Sequence, residues 1–379
     1  RMDACMEEQP EEFPQTLGER LKLHRELFDS FRRLDILQEL VDDPRVTEIM
    51  VNGPDQVFVE TGGKIGRWEK SFESREQLED LIQQIVSSVN RIVNTSMPLA
   101  DARLSDGSRV HVVLEPIALN GPILTIRKFP EPMTMERLLD YGSISPEAAD
   151  LLKTLVAARY NIFVSGGTGA GKTTFLNALS EFIPPGERVI TIEDAAELQL
   201  NHIENLVRME TREANAEGAG AIGIGELIRA ALRMRPDRLI IGEVRGKEAL
   251  DLLQSLNTGH DGGFSSGHAN SVKDMLSRLE TMVLMAADLP LAAIRSQIAS
   301  AVDIMVHVSR MRDKTRKVTA IEEVDRFENG EIILNPLFTF REAEKAGDGF
   351  GNTGKVEGSL EQIGTLKHRE KLRLAGYRV

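Results

Sequence analysis

The run Gly166-Gly167-Thr168-Gly169-Ala170-Gly171-Lys172-Thr173 satisfies the spacing G-x-x-x-x-G-K-[ST]. Glycines at these positions let successive backbone N–H groups close on a phosphate, because no Cβ stands in the way. An apolar strand candidate, Asn161 to Ser165, precedes the run, and helix-forming residues Phe175 to Leu179 follow it. A bound anion would then lie at a helix N-terminus, where free N–H groups and the helix dipole both favour negative charge. The pattern assigns Gly166, Gly167, Thr168, Gly169, Ala170, Gly171, Lys172, Thr173 and Thr174 to ATP binding. Lys172 is expected to reach the β- and γ-phosphates, and the Thr173 hydroxyl to ligate Mg2+. A glycine-rich turn without a ligand is the bland alternative, and the strand–loop–helix context counts against it.

A phosphate loop alone hydrolyses nothing, so a water-orienting base and a γ-phosphate sensor have to come from elsewhere. Two acidic clusters qualify: Ile192-Glu193-Asp194-Ala195-Ala196-Glu197, at the end of a strand candidate, and Leu239-Ile240-Ile241-Gly242-Glu243. The second is an apolar strand ending in a carboxylate, as a Walker B strand does, without the common aspartate. One acidic residue after a strand is usually a helix cap or a solvated turn; two such clusters downstream of one phosphate loop reverse that balance. Thr258 to Asn270 holds His260 and His268 among Gly259, Gly262, Gly263 and Gly267. No cysteine is near them and their spacing defines no zinc site. The segment is expected to be a flexible loop, its histidines open between surface, packed and phosphate-facing roles.

These groups need a scaffold. Strand candidates Asn161 to Ser165, Arg188 to Ile192, Arg238 to Ile241 and Val302 to Val308 alternate with helices, which predicts an α/β unit with a largely parallel sheet and ligands at the carboxyl ends of the strands. Ser145-Pro146 is a helix start, continued by Ala148, Leu151, Leu152 and Leu155. Upstream, Thr47 to Val51, Gln56 to Glu60 and Lys64 to Trp68 read as strands, with a turn at Gly62-Gly63. Leu78, Leu81, Ile82 and Ile85 recur at helical spacing between Arg75 and Val93. The prolines of Phe129-Pro130-Glu131-Pro132 mark a boundary. The expected organisation is a leader (1–30), a smaller α+β domain (31–128), a linker (129–135), the α/β domain (136–346) and a tail (347–379).

Composition narrows the function classes. The chain has 379 residues and a formal charge of −13, which repels a nucleic-acid backbone at long range. Cys5 is the only cysteine, so no intramolecular disulfide can form and a reducing cytosol fits. The start through Glu12 has no apolar run of the secretory type. The most apolar window, Leu289 to Val308, is broken by Arg295 and Asp303, so no transmembrane helix is expected.

Together these motifs resemble the type II/type IV secretion ATPases, most closely the CpaF (TadA-type) branch that powers assembly of Flp, or tight-adherence, pili. The likeness runs from about residue 31 to 342. It is carried by Val46 to Gly53, Asp101 to Leu104 with Asp106 to Arg109, Ile123 to Lys128, the phosphate loop, an Asp box at Glu193, Asp194 and Glu197, a Walker B at Arg238 to Arg245, and a His box at Thr258 to Asn270. Leu232 to Arg238 is typical of CpaF-like members. The resemblance implies a RecA-like motor behind a PAS-like α+β domain, assembled as a cytoplasmic homohexamer, peripheral to the inner membrane at a platform of membrane proteins. It implies Glu197 as base, Glu243 as the carboxylate organising Mg2+ directly or through water, and His268 as γ-phosphate sensor. Arg109 and Arg127 fall where members present arginines to the nucleotide. Ser266 and Gly267 depart from the family's residues before the histidine, which implies a looser His-box loop. Two rivals remain: a RecA-like nucleic-acid translocase, disfavoured by the acidity and the lack of aromatic-rich basic stretches, and an ATP-binding assembly switch with negligible hydrolysis.

Overall fold

The computed structural model describes residues 34–89, 91–128, 133–212, 219–343 and 356–377. The chain divides into two compact units, Arg1–Glu131 and Pro132–Val379. The leader with Cys5 and the segment Phe129 to Pro132 lie outside the described residues.

The first unit holds the strands β1 (Val46–Asn52), β2 (Val57–Thr61), β3 (Lys64–Arg67), β4 (Leu99–Arg103), β5 (Arg109–Val113) and β6 (Ile123–Arg127), and the helices α1 (Gln38–Asp42) and α2 (Arg75–Ser88). The strands form one antiparallel sheet in the order β3-β2-β1-β6-β5-β4. Alternation sends Ile49 and Val51, Val110 and Val112, and Leu124 and Ile126 to the buried face, where Leu78, Ile82 and Ile85 of α2 cover them. Ser74 caps α2 by accepting from the Gln77 N–H at 3.2 Å. The helix stops at Ser88, short of the expected Val93. At its end the Ser87 and Ser88 hydroxyls donate back to the Gln84 and Ile85 carbonyls, a local bonding mode that competes with further helix.

The second unit is built on a nine-stranded sheet of β7 (Ile162–Gly166), β8 (Val189–Glu193), β9 (Leu206–Glu210), β10 (Arg238–Ile241), β11 (Phe264–His268), β12 (Ile304–Arg310), β13 (Arg316–Glu328), β14 (Glu331–Glu342) and β15 (Gly358–Gln362). Its order is β15-β14-β13-β12-β7-β11-β10-β8-β9. From β12 to β9 the pairing is parallel, whereas β13, β14 and β15 add on antiparallel. The helices are α3 (Met135–Asp140), α4 (Pro146–Ala157), α5 (Lys172–Ser180), α6 (Ile224–Ala231), α7 (Glu248–Leu256), α8 (Val272–Ala286), α9 (Leu291–Ala301) and α10 (Glu370–Leu374). Ile162, Val164 and Val306 pack with α4 and α5 on one face; Phe163, Ile241 and Met305 pack with α7, α8 and α9 on the other.

Two expectations change. The Thr258 to Asn270 segment is not a flexible loop: Phe264–His268 is a central strand, buried through Gly267. Its small residues reflect close helices, since a Cβ at Gly267 would lie 2.8 Å from Met275 Sδ and 3.2 Å from Phe163 Cε1. The segment set apart as a tail joins the sheet through β15, and Glu323 accepts from the Lys367 and His368 backbone N–H groups at 2.9 and 2.7 Å. The sheet is largely parallel, as expected, with the three antiparallel strands at one edge. No single helix among the described residues is long and apolar enough to cross a membrane; α8 and α9 qualify only as a pair bent by 120°.

Arg238 opens β10 fully buried and donates to the Glu187 carboxylate through Nε and, at 3.3 Å, through Nη2. Glu187 also accepts from the more exposed Arg159 at 3.2 Å, so removing Arg238 takes away its buried partner and empties a fully buried site. Arg238→Ala is therefore expected to destabilise the protein by about 2–4 kcal/mol, read as a loss of urea midpoint in equilibrium unfolding.

Candidate active site

At the carboxyl end of β7 the chain turns through Gly166 to Gly171 into α5. Gly169 and Gly171 sit at φ +70° and +95°, where side chains are strained. Gly166 is tight for another reason. A Cβ there would lie 2.9 Å from Val308 Cγ2 and collide with the Val308 carbonyl oxygen on β12. Thr173 and Thr174 stand half-buried in the first turn of α5, and Arg316 donates to the Gly169 carbonyl at 3.2 Å.

Lys172 is buried beneath this loop, its ammonium 3.4 Å from the Gly166 and Gly167 carbonyls and 3.1 Å from His268 Nδ1. An ammonium only donates, so Nδ1 accepts and a neutral ring carries its proton on Nε2. Nε2 lies 2.9 Å from Glu243 Oε1. Glu243 Oε2 accepts from Arg245 at 2.9 Å, and Arg245 approaches Asp194 at 3.8 Å. Burial pushes both Lys172 and His268 below their ordinary pKa ranges, with Glu243 acting in the opposite direction on each. A neutral imidazole thus stands between a buried cation and a carboxylate, bonded to the first and 2.9 Å from the second without a hydrogen bond to its Oε1.

The Asp box divides by burial. Glu193, at the end of β8, is buried and accepts from the Glu197 and Leu198 backbone N–H groups at 2.7 and 2.9 Å. Desolvation raises its pKa while those two bonds oppose the shift. Gly242 leaves room for it, since a Cβ there would come 2.9 Å from Glu193 Cγ. Glu193 therefore shapes the turn that carries half-buried Glu197. His260 is separated from His268 by β11 and contacts Thr258 instead, at 3.4 Å.

Arg109 and Arg127, in the other unit, stand directly opposite one another on β5 and β6, with Arg103 opposite Arg109 and Glu48 opposite Arg127. Arg245 and Arg316 went unassigned in the sequence. Arg245 was within the quoted Walker B run, but only the turn after β10 brings its guanidinium back to Glu243; Arg316 needs the β12–β13 pairing to reach the phosphate loop, and no local signal marks it.

Among the described residues no group of three or more His, Cys, Asp or Glu side chains is set to hold a metal. A Mg2+ here would take one or two protein oxygens and complete its shell from phosphates and water, for which Thr173 and Glu243 have the right chemistry.

A glycine loop at the end of a parallel strand, a buried lysine under it and carboxylates on neighbouring strand ends define a P-loop ATPase. The chain belongs to the type II/IV secretion system protein family, whose model matches residues 32–337. It is thus a secretion-system ATPase. It is 39% identical over 293 residues to a Mycobacterium tuberculosis protein named provisionally for conjugal transfer, covering 76% of this chain and 83% of that one. It is 35% identical over 291 residues to the type IV secretion system protein PtlH of Bordetella pertussis, covering 70% and 86%. The fold is that of the Legionella pneumophila ATPase DotB, at a TM-score of 0.54 and 19% identity over 77% of this chain and 80% of that one.

The Gly166 contact yields a direct test. Gly166→Ala must push β7 from β12 at the root of the loop, at a cost of about 1–3 kcal/mol. Thermal melts should show the loss, and fluorescent-nucleotide titration should show weakened binding in the protein that remains folded.

Proposed function

We propose that this ATPase is a motor that drives pilus assembly or protein secretion through an inner-membrane platform, working as a cytoplasmic homohexamer. The observation that carries the reading is the contact series Lys172–His268–Glu243–Arg245, which crosses the ends of the neighbouring elements β7, β11 and β10. Such a series can register the γ-phosphate at one strand end and pass the change to the next. The CpaF-like run Leu232 to Arg238, which leads into the buried Arg238–Glu187 pair, supports the pilus branch.

Residues Gly166 to Thr174 cradle the triphosphate, with Lys172 leaving its resting contacts for the β- and γ-phosphates. Thr173 and Glu243 would hold Mg2+, directly or through water, and the ion would supply charge neutralisation on the phosphates. Glu197 takes a proton from the attacking water as its oxygen bonds the γ-phosphorus, while the bond to the β–γ bridging oxygen breaks and ADP leaves. His268 senses the γ-phosphate. Arg109 and Arg127 reach the nucleotide when the two units close, so that planar guanidinium donors neutralise charge only at that point in the cycle.

Lys172→Ala should lower phosphate release on the order of a hundredfold or more, since it removes the buried donor aimed at developing charge. Near-normal turnover would refute the site. Arg127→Ala should lower kcat on the order of a hundredfold while ATP affinity changes little, the pattern of an interaction made in the transition state. Phosphate release, nucleotide titration and light scattering on the same sample check it, because a lost assembly would mimic a lost arginine. A variant with unchanged kcat in an intact assembly would remove the closure mechanism.

A further inference from the structure

The segment that carries Glu197 follows β8, and from Asp194 to Leu200 it forms no helix or strand, so its backbone polar groups need partners from side chains or water. Three consecutive N–H groups in it find side-chain acceptors. Those of Glu197 and Leu198 donate to Glu193 Oε2 at 2.7 and 2.9 Å, and that of Gln199 donates to Asn177 Oδ1 at 2.9 Å. Glu193 ends the strand that leads into the segment, so its two bonds are local. Asn177 lies 22 residues earlier in the chain, on α5, the helix that opens with Lys172 and Thr173. It stands one helical turn beyond Thr173 and on the same face, since residues four apart on a helix lie one above the other.

Packing brings the two elements together without fixing how one is turned against the other. Leu198 and Leu200 are buried in the same core as Phe175, Leu176 and Leu179 of α5. Burial of that kind is non-directional. The bond from Gln199, which lies between those two leucines, is directional and sets the orientation of the peptide two residues after Glu197. Attack of water on the γ-phosphorus requires a base held at a fixed place relative to the phosphates, and the phosphates belong to the loop and to the first turn of α5. We propose that Asn177 is a positioning residue for the ATPase reaction: its carboxamide oxygen fastens the segment carrying Glu197 to the helix that follows the phosphate loop. The proposal rests on the assignment of Glu197 as the base. Without the bond, nucleotide still binds the loop, but the Glu197 carboxylate no longer holds a fixed place relative to it.

The test is steady-state ATPase, fluorescent-nucleotide titration and a melting curve on the full chain for wild type, Asn177→Ala, Asn177→Leu, Asn177→Asp, Glu197→Gln and the Asn177→Ala/Glu197→Gln double variant. One lost hydrogen bond predicts a kcat about three- to tenfold below wild type for Asn177→Ala and Asn177→Leu, with nucleotide affinity within about twofold. Alanine and leucine are both better helix formers than asparagine, so neither change weakens α5 through propensity. Asn177→Asp, which keeps an acceptor at the Oδ1 position, should regain most of the loss. In the Glu197→Gln background, Asn177→Ala should slow turnover by no more than about twofold further, since the base it places is already gone. Wild-type kcat in Asn177→Ala and Asn177→Leu, alongside a slowed Glu197→Gln, overturns the proposal while the base assignment stands. An equal loss from Asn177→Ala in both backgrounds also overturns it, as does a loss that only follows the folded fraction, because the residue is then merely structural. Normal turnover by Glu197→Gln removes the base assignment and this proposal with it.

Discussion

The motor unit is organised around one constraint, the burial of the Lys172 ammonium at the carboxyl edge of a parallel sheet. A lysine is rarely buried without a partner, and here its partners are two carbonyls at the end of β7 and the imidazole at the end of β11. That geometry requires β7 and β11 to end at the same level, and the register of His268 opposite Gly166 provides it. It also requires β12 to lie against β7 closely enough that Gly166 has no room for a side chain. The glycine of β11 has a packing cause of its own, because Met275 of α8 comes close over a strand that is central in the sheet.

From Lys172 the electrostatics run outward in alternating character: cation, neutral ring, carboxylate, guanidinium. Burial keeps the lysine and the imidazole from holding protons as readily as they would in water, and Glu243 resists that tendency. In such a setting a phosphate charge placed next to Lys172 changes the balance along the whole series, since low local dielectric lets neighbouring groups feel one another. Glu193 is a different kind of carboxylate. It sits deeper, and its work is to satisfy two backbone N–H groups so that the Asp194 to Leu198 turn keeps its shape.

The N-terminal unit shows its own anomaly in the row Glu48, Arg127, Arg109, Arg103 across β1, β6, β5 and β4. Like charges directly opposite on neighbouring strands cost stability unless other groups offset them, and Arg103 and Arg109 each make further interactions of their own. Of this row, Arg109 and Arg127 are the two that enter the proposed cycle.

Local order was legible wherever a short-range rule decided it. The phosphate loop followed from residue types at fixed spacing, α4 from Ser145-Pro146 and its apolar stripe, and β7, β8, β10 and β12 from apolar runs long enough to be buried on both faces. Family resemblance added the site residues whose neighbours are far away in sequence. What stayed hidden depended on packing partners. Phe264 to His268 carries one large apolar residue and reads as a loop, because its strand character comes from pairing with β7 and β10 and its small residues from the helices above it. The segment after Gly347 reads as a tail, because the groups that hold it, Glu323 and Asp303 among them, lie on other elements. The sequence by itself determined the chemistry available, a phosphate loop with carboxylates and a histidine downstream. Only the tertiary structure decided which of those groups meet, since side chains such as Ser165 and His307 become neighbours through the sheet order rather than through any spacing along the chain.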